Sequence, residues 1–271
     1  MAMRKIRRDE TMGRTCWVHV PSTLTRPAPL LMMLHGCLQT ARGFAAATRM
    51  NEVADAEGFI VVYPQQSRRA SPAGCWRWFN AKQATRGHGE AEQLVAVVDH
   101  VRSLESVDAH RVAVVGLSAG GAMAAALAVS YPDVFSCAAV HSGLPYGVAN
   151  SLRGGLAAMR RAPVPRAVQG DHRLLVLHGE DDDWVDPTNA ARFHHQFTPG
   201  AVPHETVQPI GGREATISVT NRGGSRVEVW RVRGLGHAWS GGRPGTSFSD
   251  PEGPDASRLV ADFLRRSWSV S

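Results

Sequence analysis

Five short runs of the chain, residues 30–34, 59–63, 112–115, 137–140 and 174–177, are apolar from end to end. A strand with one face in water alternates polar and apolar residues, whereas an unbroken apolar run must be covered on both faces. Between these runs lie longer stretches whose apolar residues recur with helical spacing. Residues 44–57 read as a helix closed by Gly58, and residues 90–104 as an amphipathic helix through Leu94, Val97, Val98 and Val101. An alanine-rich helix follows residue 118 as far as about Ser130, with others predicted over 188–197 and 255–268. Residues 14–20, 215–220 and 227–232 add further strands. Strand and helix in repetition imply an α/β chain with a mostly parallel central sheet and helices on both faces.

The 271 residues suit one large domain spanning 1–271, since there are no internal repeats and no long linker. Residues 143–170, rich in Gly, Pro and Arg, break the rhythm and read as a surface insertion beside the site. The net charge of +6 raises the question of an anionic partner, but the basic residues are scattered singly apart from the N-terminus and a few Arg pairs. That pattern is unlike a nucleic-acid footprint. No run reaches the roughly 20 apolar residues of a membrane span. The charged start, Met1 to Arg8, is followed by Asp9 and Glu10 where a secretory leader has its apolar region, so any leader is expected to have been removed or never present.

Gly116-Leu117-Ser118-Ala119-Gly120 is a GxSxG sequence placed between a buried strand and a helix. A serine on that strained turn is exposed at the carboxyl end of the strand, beside a helix N-terminus that faces developing negative charge. The competing reading is a small-residue turn that permits tight helix packing. Serine needs a base to become a nucleophile, and His237, in a glycine-rich loop after a strand and before the last helix, is the candidate. An acid to orient that histidine is expected between the two in sequence, after a strand. Asp182 stands four residues after His178 and three before Val185, a register suited to the role, with Asp183 and Asp186 as alternatives. The acids of this segment are too crowded for a calcium loop, and the cysteines lack zinc spacing, so no metal or cofactor is expected. His35-Gly36-Cys37-Leu38-Gln39 follows the strand at 30–34, where a glycine lets a backbone N–H turn inward and, with the amide of Ala119, supply two donors for an oxyanion.

The segments His35-Gly36-Cys37-Leu38-Gln39-Thr40, Cys75-Trp76-Arg77-Trp78-Phe79, Gly116 to Gly121 and Gly236-His237-Ala238-Trp239 resemble the poly(3-hydroxybutyrate) depolymerase-type esterases, which are also similar to feruloyl and acetylxylan esterases. The resemblance covers nearly the whole chain. It implies an α/β-hydrolase fold without a large separate lid domain, a triad of Ser118, Asp182 and His237, and an oxyanion hole from Cys37 and Ala119. It further implies hydrolysis of carboxylic esters through an acyl-enzyme, with short-chain, aryl or hydroxyalkanoate oligomer esters as substrates. Polymer-digesting members usually carry an additional binding module for which this chain has no residues left over, so soluble esters are the expectation.

The family tends to join two cysteines at this sheet edge, which implies a Cys37–Cys75 disulfide, with buried thiols as the alternative. A bridge would favour a secreted or periplasmic address. Trp76, Trp78 and Trp239 fall on loops near the site and are expected either to wall a substrate or to pack. Two other functions fit the same residues: an acyltransferase using the triad with another acceptor, and a non-catalytic carbohydrate- or polyester-binding protein that keeps the fold.

Overall fold

The computed structural model describes residues 3–6 and 14–269 of the chain. Ten strands form one sheet: β1 (Arg4–Ile6), β2 (Cys16–His19), β3 (Ala28–Leu34), β4 (Ile60–Pro64), β5 (Val107–Leu117), β6 (Cys137–His141), β7 (Arg173–Gly179), β8 (His204–Ile210), β9 (Arg213–Arg222) and β10 (Ser225–Val232). Their spatial order is β1-β2-β4-β3-β5-β6-β7-β10-β9-β8. The six central strands, β4 to β10 in that order, are parallel to one another, and antiparallel pairs close both edges. This is the predicted α/β architecture.

Alternate residues of the apolar strands feed two cores. Leu30, Met32 and Leu34 of β3 and Val112 and Val114 of β5 point to one face, Leu31, Met33, Ala113 and Val115 to the other, all with no exposure. On the first face lie α3 (Ala81–Ala84), α4 (Gly89–Leu104), α5 (Ala119–Ser130), α6 (Leu152–Arg160) and α7 (Thr188–Phe197); on the second, α1 (Ala41–Thr48), α2 (Met50–Glu57) and α8 (Ala256–Trp268). A two-stranded ribbon, β11 (Trp239–Ser240) with β12 (Ser249–Asp250), lies beyond β10.

Two sequence expectations change, and one strand is new. The single helix expected over 44–57 is two, because Arg49 takes a left-handed conformation (φ 53°) between α1 and α2, while Thr40 caps α1 by accepting from the Gly43 amide. Residues 143–170 are more than irregular surface, since Ser151 caps the nine-residue α6 within them. Strand β8 gave no alternation because it is exposed on both faces at the sheet edge. Of the charged start, residues 4–6 form β1, while Met1, Ala2 and Arg7 to Glu10 lie outside the described residues.

Candidate active site

The carboxyl ends of the parallel strands open on a common cavity of about 270 Å³, where sheets of this kind place their ligands. Ser118 stands between β5 and α5 at φ 57°, ψ −121°, a conformation that a side chain rarely tolerates. Its amide is tied to the carbonyl of His141 at 2.8 Å, and its carbonyl accepts from Ala122 at 2.9 Å. The turn closes because a Cβ on Gly116 would lie 2.2 Å from the Gly120 backbone, and one on Gly120 2.2 Å from the carbonyl of Leu34. Only glycine at both positions lets α5 press against β3 and β5 and leave the serine hydroxyl at the cavity floor.

Asp182 follows β7, and its carboxylate is fully used. Oδ1 accepts from the amides of Trp184 (3.0 Å) and Val185 (2.8 Å), and Oδ2 accepts from Nδ1 of His237 at 2.7 Å. Buried His178 donates its Nε2–H to the Val185 carbonyl at 2.8 Å and lies 3.3 Å from the same Oδ2. Burial works against the charge of Asp182, but the hydrogen bonds from His178 and His237 outweigh it and hold the carboxyl far below its ordinary range. A carboxylate only accepts, so Nδ1 of His237 carries the proton and Nε2 keeps its lone pair. Asp183 is exposed, and Asp186 is engaged by the amide and hydroxyl of Thr188. Neither alternative therefore meets His237.

The loop after β3 carries the other half of the site. Leu38 is left-handed at φ 65°, its amide donating to Ala73 at 2.7 Å. Gln39, buried, accepts from the Gly36 amide through Oε1 and donates through Nε2 to the Ser247 carbonyl, both at 2.9 Å. Among the described residues, the amides of Cys37 and Ala119 take part in no hydrogen bond, and both residues line the cavity beside Ser118. Cys37 and Cys75 are joined by a disulfide, with Cα atoms 4.3 Å apart. Cys16 and Cys137 are buried and lie outside this bridge.

The three tryptophans part company. Trp78 lines the cavity, but Trp76 and Trp239 are fully buried behind it, a correction to their expected place on the wall. Trp76 donates its indole N–H to the His35 carbonyl at 2.8 Å and so braces the loop after β3. Trp239 donates to Ser257, meets Phe44 edge-on and stacks on His141. Burial lowers the His141 pKa to about 3 and that of His35 to about 4, so both are neutral. His141 accepts the Ser240 amide on Nε2, which ties the ribbon to β6.

The wall also uses Trp184 and Phe248, which sequence reasoning did not single out, together with Leu152, Leu156 and Met159 of α6. The one available signal was that Trp184 sits two residues after Asp182. Helix α6 is fastened at its C-terminal end. Asn189, fully buried, donates to the carbonyls of Ala158 and Met159 at 3.2 Å each and accepts from Ala162, while the Asp186 amide donates to Met159 at 2.8 Å.

Poly(3-hydroxyalkanoate) depolymerase C of Paucimonas lemoignei is 34% identical over 236 residues, which cover 81% of this chain but only 57% of that protein. Feruloyl esterase B of Thermothelomyces thermophilus is 34% identical over 251 residues, covering 84% of this chain and 85% of its own. Among solved structures, the acetyl xylan esterase from Aspergillus awamori superposes with a TM-score of 0.75 at 21% identity, covering 97% of this chain and all of that one, and so shares the fold. The family described as Esterase PHB depolymerase matches residues 16–202, and to that family this chain belongs.

Proposed function

We propose that this protein is a serine esterase that hydrolyses carboxylic esters through an acyl-enzyme on Ser118. The observation that carries the reading is the Asp182–His237 pair at 2.7 Å, opening on the same cavity as Ser118. With its Nδ1 proton held by Asp182, His237 takes the hydroxyl proton of Ser118 on Nε2 as the serine oxygen attacks the ester carbonyl. The carbonyl oxygen gains the negative charge and is met by the amides of Cys37 and Ala119 at the N-terminus of α5. His237 then gives its proton to the leaving alcohol, and the same imidazole takes a proton from water to release the acid. General acid–base catalysis of this kind contributes about 10²–10⁴-fold and each oxyanion donor about 10²–10³-fold.

The named relatives act on hydroxyalkanoate polyesters and feruloyl esters, and for this chain we extend that to short-chain, aryl and hydroxyalkanoate oligomer esters. One catalytic domain carries the whole site, and residues 143–170 serve as an insertion that contributes the α6 wall. The disulfide supports an oxidising, extracytoplasmic location, and among the described residues no helix is long and apolar enough to cross a membrane.

The test is labelling by a fluorophosphonate probe alongside turnover of p-nitrophenyl esters. Wild type is expected to do both and Ser118→Ala neither, with the melting temperature preserved. A variant that retains most of its turnover overturns the assignment, and product analysis with added alcohols separates hydrolysis from acyl transfer.

A further inference from the structure

The cavity above Ser118 is walled by carbon: Leu144, Leu152, Leu156, Met159 and Phe79 on the α6 side, Trp78 and Phe248 elsewhere. Its polar side chains other than the indoles are Gln39, Ser118 and His237. Gln39 is buried, with its Oε1 held by the Gly36 amide and its Nε2 by the Ser247 carbonyl, so it presents little to a ligand. Ser118 and His237 are committed to the chemistry. The remaining side-chain donors are the indole N–H groups of Trp78 and Trp184, and neither accepts. Apart from the weakly accepting thioether of Met159, the described side chains of the wall thus offer no uncommitted hydrogen-bond acceptor. Around the mouth the apolar character continues, with Leu38 57%, Leu152 61% and Leu156 57% exposed.

A hydroxyl entering this space leaves water and finds no strong side-chain acceptor for its proton, whereas a methyl group of the same size loses nothing. An ether or ester oxygen, which has no proton to place, escapes the penalty. From this we infer that the esterase selects esters whose enclosed half carries no free hydroxyl, discriminating against hydroxy-acids, free phenols and sugar alcohols in favour of their apolar or capped isosteres. The inference rests on the esterase reading and narrows its substrate class. Apolar pockets reject an added hydroxyl by at most about a hundredfold, so a preference of about ten- to a hundredfold is expected.

Two matched series test it, each corrected for the rate of alkaline hydrolysis. In the first, kcat/KM is compared for the 3-methylbutyrate and 3-hydroxybutyrate esters of one alcohol, which differ only by CH₃ against OH at a single carbon. In the second, the acetates of cyclohexylmethanol and of a monosaccharide are compared. A tenfold preference for the hydroxyl-free member in either series supports the inference and identifies the half that enters. Parity in both, or preference for the hydroxylated member, overturns it while leaving the esterase standing; absence of turnover on every ester overturns both. Leu156→Gln, on the exposed side of α6, places an acceptor in the wall and is expected to narrow the preference at least threefold. An unchanged ratio in a folded Leu156→Gln protein counts against this wall as its source.

Discussion

The indole of Trp184 lies parallel to the imidazole of His237, planes 7° apart and ring centroids 5.7 Å apart. Phe248 meets both edge-on, at 5.5 Å from Trp184 and 6.0 Å from His237. The imidazole proposed as the base is thus held on one side by the Asp182 carboxylate and flanked on another by an aromatic face whose negative quadrupole favours a cation.

That face matters most when His237 carries two protons, in the transition state. Trp184→Ala is expected to lower kcat/KM about two- to fivefold, the worth of a half-exposed cation–π contact. Trp184→Phe should retain most of the activity. Steady-state kinetics on one p-nitrophenyl ester decides, and equal losses in the two variants would show that the ring face contributes nothing.

Asp182→Asn keeps an oxygen for the Trp184 and Val185 amides, so the loop should fold as before. Its NH₂ group would confront the Nδ1–H of His237, turning the imidazole to the tautomer that presents a proton, not a lone pair, to Ser118. A fall of about 10³–10⁴-fold in kcat is expected, with a melting temperature close to wild type. Comparable losses on Asp183→Asn would relocate the acid.

Stability should decline on acidification before any carboxylate titrates. Burial lowers the pKa of His141 to about 3 and those of His35 and His194 to about 4, from 6.5. The unfolded chain therefore binds protons that the folded one refuses, and the stability gained from keeping these rings neutral is complete above about pH 6.5 and lost as pH falls toward 4. Each such histidine contributes a slope of up to about 1.4 kcal/mol per pH unit. Urea unfolding at a series of pH values measures it, and His141→Gln, which keeps an acceptor for the Ser240 amide, should flatten the slope by one proton. Asp182 behaves as an acid with a lowered pKa. Its contribution is present above about pH 4 and disappears only in stronger acid.

Gln39 couples the loop bearing the Cys37 amide to the loop bearing Phe248. Without that link the Cys37 amide, the proposed oxyanion donor on this loop, loses its fixed position while the apolar cavity stays, so Gln39→Ala should reduce kcat about tenfold or more and change KM little. Gln39→Glu keeps the bond from Gly36 and loses the one to Ser247, and is expected to lie between. A change confined to KM would make Gln39 a substrate contact and not a positioning residue.

The central sheet was legible because strands covered on both faces cannot afford a polar residue, and the runs in β3 to β7 show none. The placement of Ser118 and His237 at one cavity was legible because the glycines around them meet local backbone demands that leave a mark in sequence. The partner of His237 was narrower work, since Asp182, Asp183 and Asp186 differ mainly in which way the loop turns each side chain. Trp76 and Trp239 misled because loop membership says nothing of direction; both indoles turn inward to buried acceptors, His35 and Ser257. Arg49 ends a helix in a left-handed conformation without the glycine that usually announces it, and α6 is amphipathic toward a cavity that only the folded chain creates.

The anchoring of α6 through Asn189 has a bearing on how this protein can be altered. The carbonyl of Met159, at the fixed end of the helix, is also the point from which the segment following Asp182 hangs. A shift of the backbone at Met159 is therefore passed to the loop that carries Asp182, whereas Leu152, in the first turn of the helix, has no such link among the described residues.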